Sequence, residues 1–291
     1  MSFRTVIITK NCKCTYKNDH LVVYGDEVKM IHLSEINTVL FDTTAVSITS
    51  YLLCELTKRK ISVIFCDEKH NPISELLPIY GSHNTSKKIK IQIDWQEGIK
   101  KEIWTKIIFE KIRAQAWILE KMGKEEYNQL LEYSENIEFG DINNREGHAA
   151  KVYFNSLFGK KFGRNQENSI NAALNYGYSI LLSTFNKEVV SNGYLTQLGI
   201  NHKNEYNHFN LSCDLMEPFR PIIDKYVYEK IPFEFDSEMK FKIVNLLNYK
   251  MKYDGNKYHL TTVIEKYTKN MLKCISEKTP ENLIFCEEYE V

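Results

Sequence analysis

Three segments hold the residues whose types and spacing could do chemistry. The first, Asn143-Asn144-Arg145-Glu146-Gly147-His148-Ala149-Ala150-Lys151-Val152-Tyr153-Phe154, sets Glu146 near a predicted helix start. Gly147, Ala149 and Ala150 would let another backbone approach closely. Taken alone, the segment also reads as a capping box, with Asn143 capping the helix and Glu146 reaching back from the third position. The second, Leu198-Gly199-Ile200-Asn201-His202, ends an apolar run in a histidine after a glycine turn. A lone histidine is more often a surface or satisfied core residue, and as a metal ligand it needs carboxylates nearby. The third is Asp214-Leu215-Met216-Glu217-Pro218-Phe219-Arg220-Pro221. Its two acids, at i and i+3, share a face if one helix includes both. A capping box from Asp214 would leave Pro221 inside the helix, where it breaks a hydrogen bond, whereas Pro218 fits a first helical position. Glu217 therefore caps or precedes a helix, its carboxylate free to face a ligand. Two glutamates, a histidine and a nearby aspartate suit Mg²⁺ or Mn²⁺, both hard ions, and one imidazole tilts the preference towards Mn²⁺. Such a site suits phosphodiester chemistry. Spacing alone does not bring Glu146 next to Glu217.

The elements that would position these residues fall into two unlike stretches, an α+β organisation. Residues 1–80 carry short β-rich runs at Arg4–Ile8, Leu21–Tyr24, Val28–Leu33, Thr38–Phe41 and Ile61–Cys66, broken by turns at Asn18-Asp19 and Gly25-Asp26. Ser47–Lys58 has apolar residues at helical spacing. The expectation is a small β-sheet with one helix against it. Residues 81–96 are polar and lysine-rich and read as a linker. From 97 to 291 the period is helical, with Ile103, Ile107, Ile108 and Ile112 marking one core-facing stripe in Ile99–Lys121. Further helices are expected near Asn143–Phe158, Ser169–Val190, Pro218–Tyr228, Ser237–Leu247 and Thr261–Ser276, with a hairpin over Lys250–Leu260 turning at Asp254-Gly255. The acidic tail, Glu277–Val291, reads as mobile.

Composition limits the function classes. Lys plus Arg and Asp plus Glu are each 38 of 291 residues, so the net charge is zero, which excludes a polybasic tail protein but not a locally basic face. Basic patches occur at Lys151, Lys160, Lys161 and Arg164, and at Lys240, Lys242, Lys250, Lys252 and Lys257. Twelve glycines and six prolines are few for this length and favour long helices. The seven cysteines form no C-x-x-C pair, and Cys12 and Cys14 read as two residues on one face of a strand. Val6-Ile7-Ile8 is too short for a signal-peptide core, and no run approaches a membrane span. A reducing, cytoplasmic setting is expected, without a membrane partner.

Four ordered motifs now carry a resemblance. They are Arg145-Glu146-Gly147-x-Ala149-Ala150-x-x-Tyr153-Phe154, Asn171-x-x-Leu174-Asn175-Tyr176-Gly177-Tyr178, Gly199-Ile200-x-His202, and Asp214 through Pro221. Together they resemble the CRISPR-associated integrase family, the first-numbered proteins of the CRISPR adaptation module, and look most similar to the type II branch. The resemblance covers essentially the whole chain and implies a helical catalytic domain behind an N-terminal β domain that mediates dimerisation. It places the family's catalytic metal ligands on Glu146, His202 and Glu217, with Asp214 as a second acid of less defined role. It implies a metal-dependent endonuclease and integrase that inserts short foreign DNA fragments into a CRISPR array at the leader–repeat junction. Implied partners are double-stranded DNA, a second copy of the chain, the small second adaptation protein that bridges dimers, and further type II adaptation proteins.

The residue chemistry agrees at several points. Integration needs positioning and charge neutralisation rather than a Ser or Cys nucleophile, because a DNA 3′-hydroxyl attacks. Arg145, Lys151, Lys160, Lys161, Arg164 and Arg220 lie near the motif acids and are candidate DNA contacts, although ion pairs to those acids are equally compatible. Asn175, Tyr176 and Tyr178 are expected to pack or orient ligands. Two other readings stand beside this one. A tyrosine recombinase would need an Arg/His/Arg set around one tyrosine, and no such ordered set occurs. A non-catalytic DNA-binding scaffold would use the acids as helix caps.

Overall fold

The computed structural model describes residues 4–79, 81–231 and 234–287. The expected boundary at Tyr80 and the tail beyond Glu287 lie outside them. Residues 4–75 form β1 (Arg4–Ile8), β2 (Cys12–Lys17), β3 (His20–Tyr24), β4 (Val28–His32), β5 (Ile36–Phe41), β6 (Val46–Ile48), α1 (Ser50–Lys58), β7 (Ser62–Cys66) and β8 (Pro72–Glu75). They build two four-stranded sheets, not one. The first has the order β1-β5-β7-β8, with β1, β5 and β7 parallel and β8 antiparallel to β7. The second has the order β4-β3-β2-β6, antiparallel except where β6 runs parallel to β2. Cys12 and Cys14 do share a face of β2, their sulfurs 3.8 Å apart.

β5 shows why this region is not a detached module. All six of its residues are buried. Side chains alternate across a strand, so Val39 and Phe41 enter the core between the sheets and α1, while Leu40 enters the core of the helices. Ile64 and Cys66 of β7 also join the helical core. The edge strand β8 is tied across as well. The Glu75 carboxylate accepts hydrogen bonds from the Ser183 hydroxyl and the Asn186 amide, both at 2.7 Å.

The stretch expected as a linker contains a helix, α2 (Thr85–Ile93). Its polar sequence carries no strong helical period, and tertiary bonds hold it instead. Gln92 donates to the carbonyls of Leu195 and Leu198, and Lys88 donates to that of Asn192.

Beyond it run α3 (Glu97–Lys121), α4 (Tyr127–Glu135), α5 (Arg145–Phe158), α6 (Ser169–Ser191), α7 (Asn210–Met216), α8 (Arg220–Lys230), α9 (Ser237–Asn245), the hairpin β9 (Lys250–Tyr253) and β10 (Asn256–His259), and α10 (Leu260–Glu277). The hairpin turns at Asp254 and Gly255, both at positive φ, as expected. The 25-residue α3 and the 23-residue α6 are the spine. Fully burying each Ile or Leu of such a stripe contributes about 1.5–3 kcal/mol. Gly177 of α6 lets α8 come close, because a Cβ there would stand 2.4 Å from Ile223. The tail expected to be mobile packs as far as Glu287, with Cys286 bridged to Tyr253 and Glu287 paired to Lys252 at 2.8 Å. Among the described residues no helix is long and apolar enough to cross a membrane.

Candidate active site

Glu146 sits in the first turn of α5, but the expected capping box is not what starts that helix. Asn144, in the left-handed region at φ 51°, is the cap, and its side chain accepts from the Gly147 N–H. Asp141 takes the N–H groups of Arg145 and Glu146, at 2.7 and 3.2 Å. Asn143 instead donates to the Asn136 carbonyl. With the orphan donors satisfied by Asp141 and Asn144, the Glu146 carboxylate is released from capping. It accepts from the ammonium of Lys111 at 2.6 Å.

Glu217 lies in a 3-10 turn, Glu217–Phe219, between α7 and α8. Pro218 and Pro221 sit at the starts of that turn and of α8, where no helical donor is required. Below, the Phe219 ring packs edge-on against Phe185 and Tyr267, with centroids 5.3 and 5.0 Å away. The turn is thus pinned, and the Glu217 side chain is 4% exposed. It accepts from Lys111 Nζ at 2.5 Å and from Arg220 Nε at 2.9 Å. Burial pushes its pKa up, but Arg220 and then Lys111 outweigh burial and hold it at about 2.

His202 is aimed by Asp214. Asp214 is fully buried in α7, and each of its oxygens accepts two bonds. Oδ2 takes the N–H groups of Ile200 and Asn201, at 2.6 and 3.0 Å. Oδ1 takes the N–H of His202 at 3.1 Å and meets the imidazole Nδ1 at 2.5 Å. Gly199 makes this loop possible, since a Cβ there would lie 2.4 Å from the His202 carbonyl oxygen and 2.7 Å from Asp214 Oδ2. The bond from Asp214 raises the His202 pKa, against the opposing pull of burial. It also commits Nδ1, so Nε2 is the nitrogen left to act as a ligand. The ring edge rests on Trp104, 5.7 Å between centroids. Asp214, the less certain of the candidate metal ligands, thus has both oxygens engaged by the His202 loop.

The structure brings Glu146 and Glu217 onto one cation, Lys111 Nζ, with His202 close enough to feel both charges. Among the described residues no three of His, Cys, Asp and Glu stand close enough to share a metal ion. The donor types nonetheless fit a hard divalent ion, and the ammonium bridged by two carboxylates marks where positive charge is held. Lys111 was not singled out in the sequence, though a signal existed. It lies three and four residues beyond Ile108 and Ile107, on the buried stripe of α3, where an unpaired lysine is rare.

The candidate DNA contacts divide. Arg220 is inward, bound to Glu217 and stacked 4.6 Å above the Tyr178 ring, so it positions the carboxylate. Arg164 is held by Asn171 and Asn175 and also lies over Tyr178. Arg145 donates to the Asn136 carbonyl and covers the Tyr133 ring. Lys151, Lys160 and Lys161 are exposed. The second basic patch is broken up, with Lys240 buried and Lys242 and Lys252 paired to Glu238 and Glu287. As expected, Asn175 and Tyr178 act as supports, Tyr178 donating its hydroxyl to buried Asp224, while Tyr176 is packed and buried. Asp224 was also missed in the sequence. Burial pushes its carboxyl up to about 7.

Comparison with known proteins bears on the family and the fold. The CRISPR-associated endonuclease Cas1 of Neisseria meningitidis serogroup C (strain 8013) is 29% identical over 290 residues, which span 97% of this chain and 95% of that protein. A casposase bound to integration product has the same fold, with a TM-score of 0.75 at 20% identity, covering 96% of this chain and 91% of that one. A chain of a Cas6-RT-Cas1–Cas2 complex superposes with a TM-score of 0.74 at 19% identity, covering 98% of this chain but 36% of that longer one. Residues 5–265 match the model of the family described as CRISPR associated protein Cas1. On the strength of that span, the chain belongs to the Cas1 family.

Proposed function

We propose that this protein is the metal-dependent integrase and endonuclease of CRISPR adaptation, joining short foreign DNA fragments to a CRISPR array. In this reading the 3′-hydroxyl of the fragment attacks the phosphodiester at the leader–repeat junction. The observation that carries it is the convergence of Glu146 and Glu217 on one buried cation beside an imidazole that Asp214 holds in a fixed tautomer. Glu146, Glu217 and His202 Nε2 would hold Mg²⁺ or Mn²⁺, which supplies neutralisation of charge on the reacting phosphate. Arg220 keeps Glu217 ionised and aimed, and Asp214 keeps His202 aimed. Arg145, Lys151, Lys160, Lys161 and Arg164 would track the DNA backbone, which gives affinity without sequence choice.

Two features weigh against the alternatives. In a scaffold the acids would cap helices, but Asn144 and Asp141 cap α5, and the Glu146 carboxylate turns to Lys111 instead. In a tyrosine recombinase a phenol would attack, but beside the site Tyr153 is buried and Tyr178 is half-buried with its hydroxyl given to Asp224, and desolvation pushes both pKa values far up. The Cas6-RT-Cas1–Cas2 complex supports a small second adaptation protein as partner, and the exposed edge of β4 supports a homodimer through the N-terminal sheets. The test is integration into a supercoiled array plasmid with and without that partner, using normal and 3′-deoxy donors. The 3′-deoxy donor is expected to bind equally and yield no joined product. A protein–DNA band surviving denaturant, or full joining from the 3′-deoxy donor, would sink the mechanism.

A further inference from the structure

We propose that Lys111 is a placeholder for the divalent ion. Its ammonium holds Glu146 and Glu217 together until the ion arrives, then withdraws into the adjoining cavity and docks on Gln115 and Asp224. This rests on the metal-site reading above and adds a moving part to it.

The first support is charge. Lys111 and Arg220 together balance Glu146 and Glu217, and the whole group is largely buried. A divalent ion added to that balanced set would face an ammonium at hydrogen-bonding distance from the same oxygens, an unscreened repulsion in a poorly solvated site. With Lys111 withdrawn, the ion, Arg220 and the two carboxylates carry one net positive charge. One phosphodiester cancels that charge, so ion entry and DNA entry favour each other.

The second support is that the lysine has somewhere to go. A cavity of ≈ 170 Å³ opens beside the carboxylates and is lined by Lys111, Gln115, Tyr178 and Asp224 among others. Gln115 stands one turn beyond Lys111 on α3, is 2% exposed, and its Oε1 has no hydrogen-bond partner. A buried acceptor left unpaired is costly, and an ammonium fits it. Asp224 adds, on the same cavity wall, a second carboxyl oxygen beside the one that accepts from Tyr178. The cavity thus offers acceptors that replace those the lysine gives up.

The experiment titrates Mn²⁺ into the full chain and reads binding by calorimetry and stability by thermal unfolding, for wild type, Lys111→Met and Gln115→Met. In chelator, Lys111→Met should melt lower than wild type, because two buried carboxylates lose their shared cation. It should bind Mn²⁺ about ten-fold more tightly, the scale of one group's effect on a metal shell, and gain more melting temperature from the ion. Gln115→Met keeps Lys111 but removes its refuge, and should bind Mn²⁺ several-fold more weakly while melting no lower in chelator. Equal or weaker Mn²⁺ binding by folded Lys111→Met would overturn the placeholder. Unchanged binding by Gln115→Met would overturn the withdrawal, and this arm stands even where Lys111→Met fails to fold. Mn²⁺ that binds neither wild type nor Lys111→Met would overturn the metal-site reading itself, a result distinct from binding that is merely equal.

Discussion

The N-terminal sheets and the helical region handle charge differently. Around the sheets, each described ion pair keeps a partner at the rim, even where the acid is buried, as with Glu55 and Asp42. Arg4 with Glu35 and Lys10 with Asp26 are all well exposed, and such pairs contribute little. The helices draw charge inside. Lys111, Asp214, Glu217 and Asp224 are each less than one-tenth exposed, with Arg220 packed among them. Buried charge is expensive unless every member is paired. Where a fold buries four such groups and packs a guanidinium beside them, selection for chemistry is the economical explanation. Damage to the two regions should therefore read out differently, as lost assembly in one and lost catalysis in the other.

The largest effect should come from neutralising the acids without changing their shape. Glu146→Gln and Glu217→Gln should each lower Mn²⁺-supported strand transfer by about a thousand-fold or more, in line with loss of charge stabilisation at a reacting phosphate. Activity within ten-fold of wild type in either variant would break the contrast. Next is Asp214→Ala, which strips three backbone N–H groups and the His202 imidazole of their acceptor. Removing one partner of a buried charged network costs about 3–5 kcal/mol, readable as a lower urea midpoint. A loss below 1 kcal/mol would mean that the loop is held by other means.

On the other side of the comparison, β4 exposes Val28 and Met30 at 61% and 53%. Met30→Glu should weaken homodimerisation about ten-fold or more in sedimentation, with the melting temperature of the chain unchanged. An unaltered dimer would move the interface to the helices. The smallest effect is a pH dependence at Asp224. Its carboxyl titrates at about 7 in the fold against 3.8 ordinarily. Between those values the folded protein keeps a proton that the unfolded chain has released. Stability therefore falls as pH rises, and the penalty is complete above about 7. Asp224→Asn, which still accepts from Tyr178, should melt a few degrees higher than wild type at pH 8. That gap should shrink towards pH 5. A gap independent of pH would assign the effect to packing.

Much of this was legible in the sequence, and the rest was not for identifiable reasons. Glu146 stood out beside Gly147 at a helix start, and His202 and Glu217 stood out because Gly199, Pro218 and Pro221 constrain the backbone around them, and such constraints are local. The hairpin at Asp254-Gly255 was readable for the same reason. The cap of α5 shifted from Asn143 to Asn144 because Asp141, two residues before Asn143, competes for the same donors. α2 was invisible because its hydrogen bonds run from Gln92 to residues about a hundred positions away. The role of Asp214 could not be read at all, since only the folded loop shows that its oxygens are already taken. Lys111 was readable by phase alone, as a cation on an apolar stripe.

The bonds from Glu75 to Ser183 and Asn186 set a timetable for the chain as it is made. Asn186 lies 111 positions after Glu75. At about 5–20 residues per second of synthesis, roughly 5–20 s separate the strand from its anchor. Through that interval the first sheet has its parallel strands but an unanchored edge, of the kind that pairs with other chains. The N-terminal region therefore emerges from the ribosome with its last strand paired to β7 but still without its helical anchor. Slowing elongation between β8 and the end of α6 should lengthen that exposure and lower the yield of soluble protein, without altering a single contact in the finished fold.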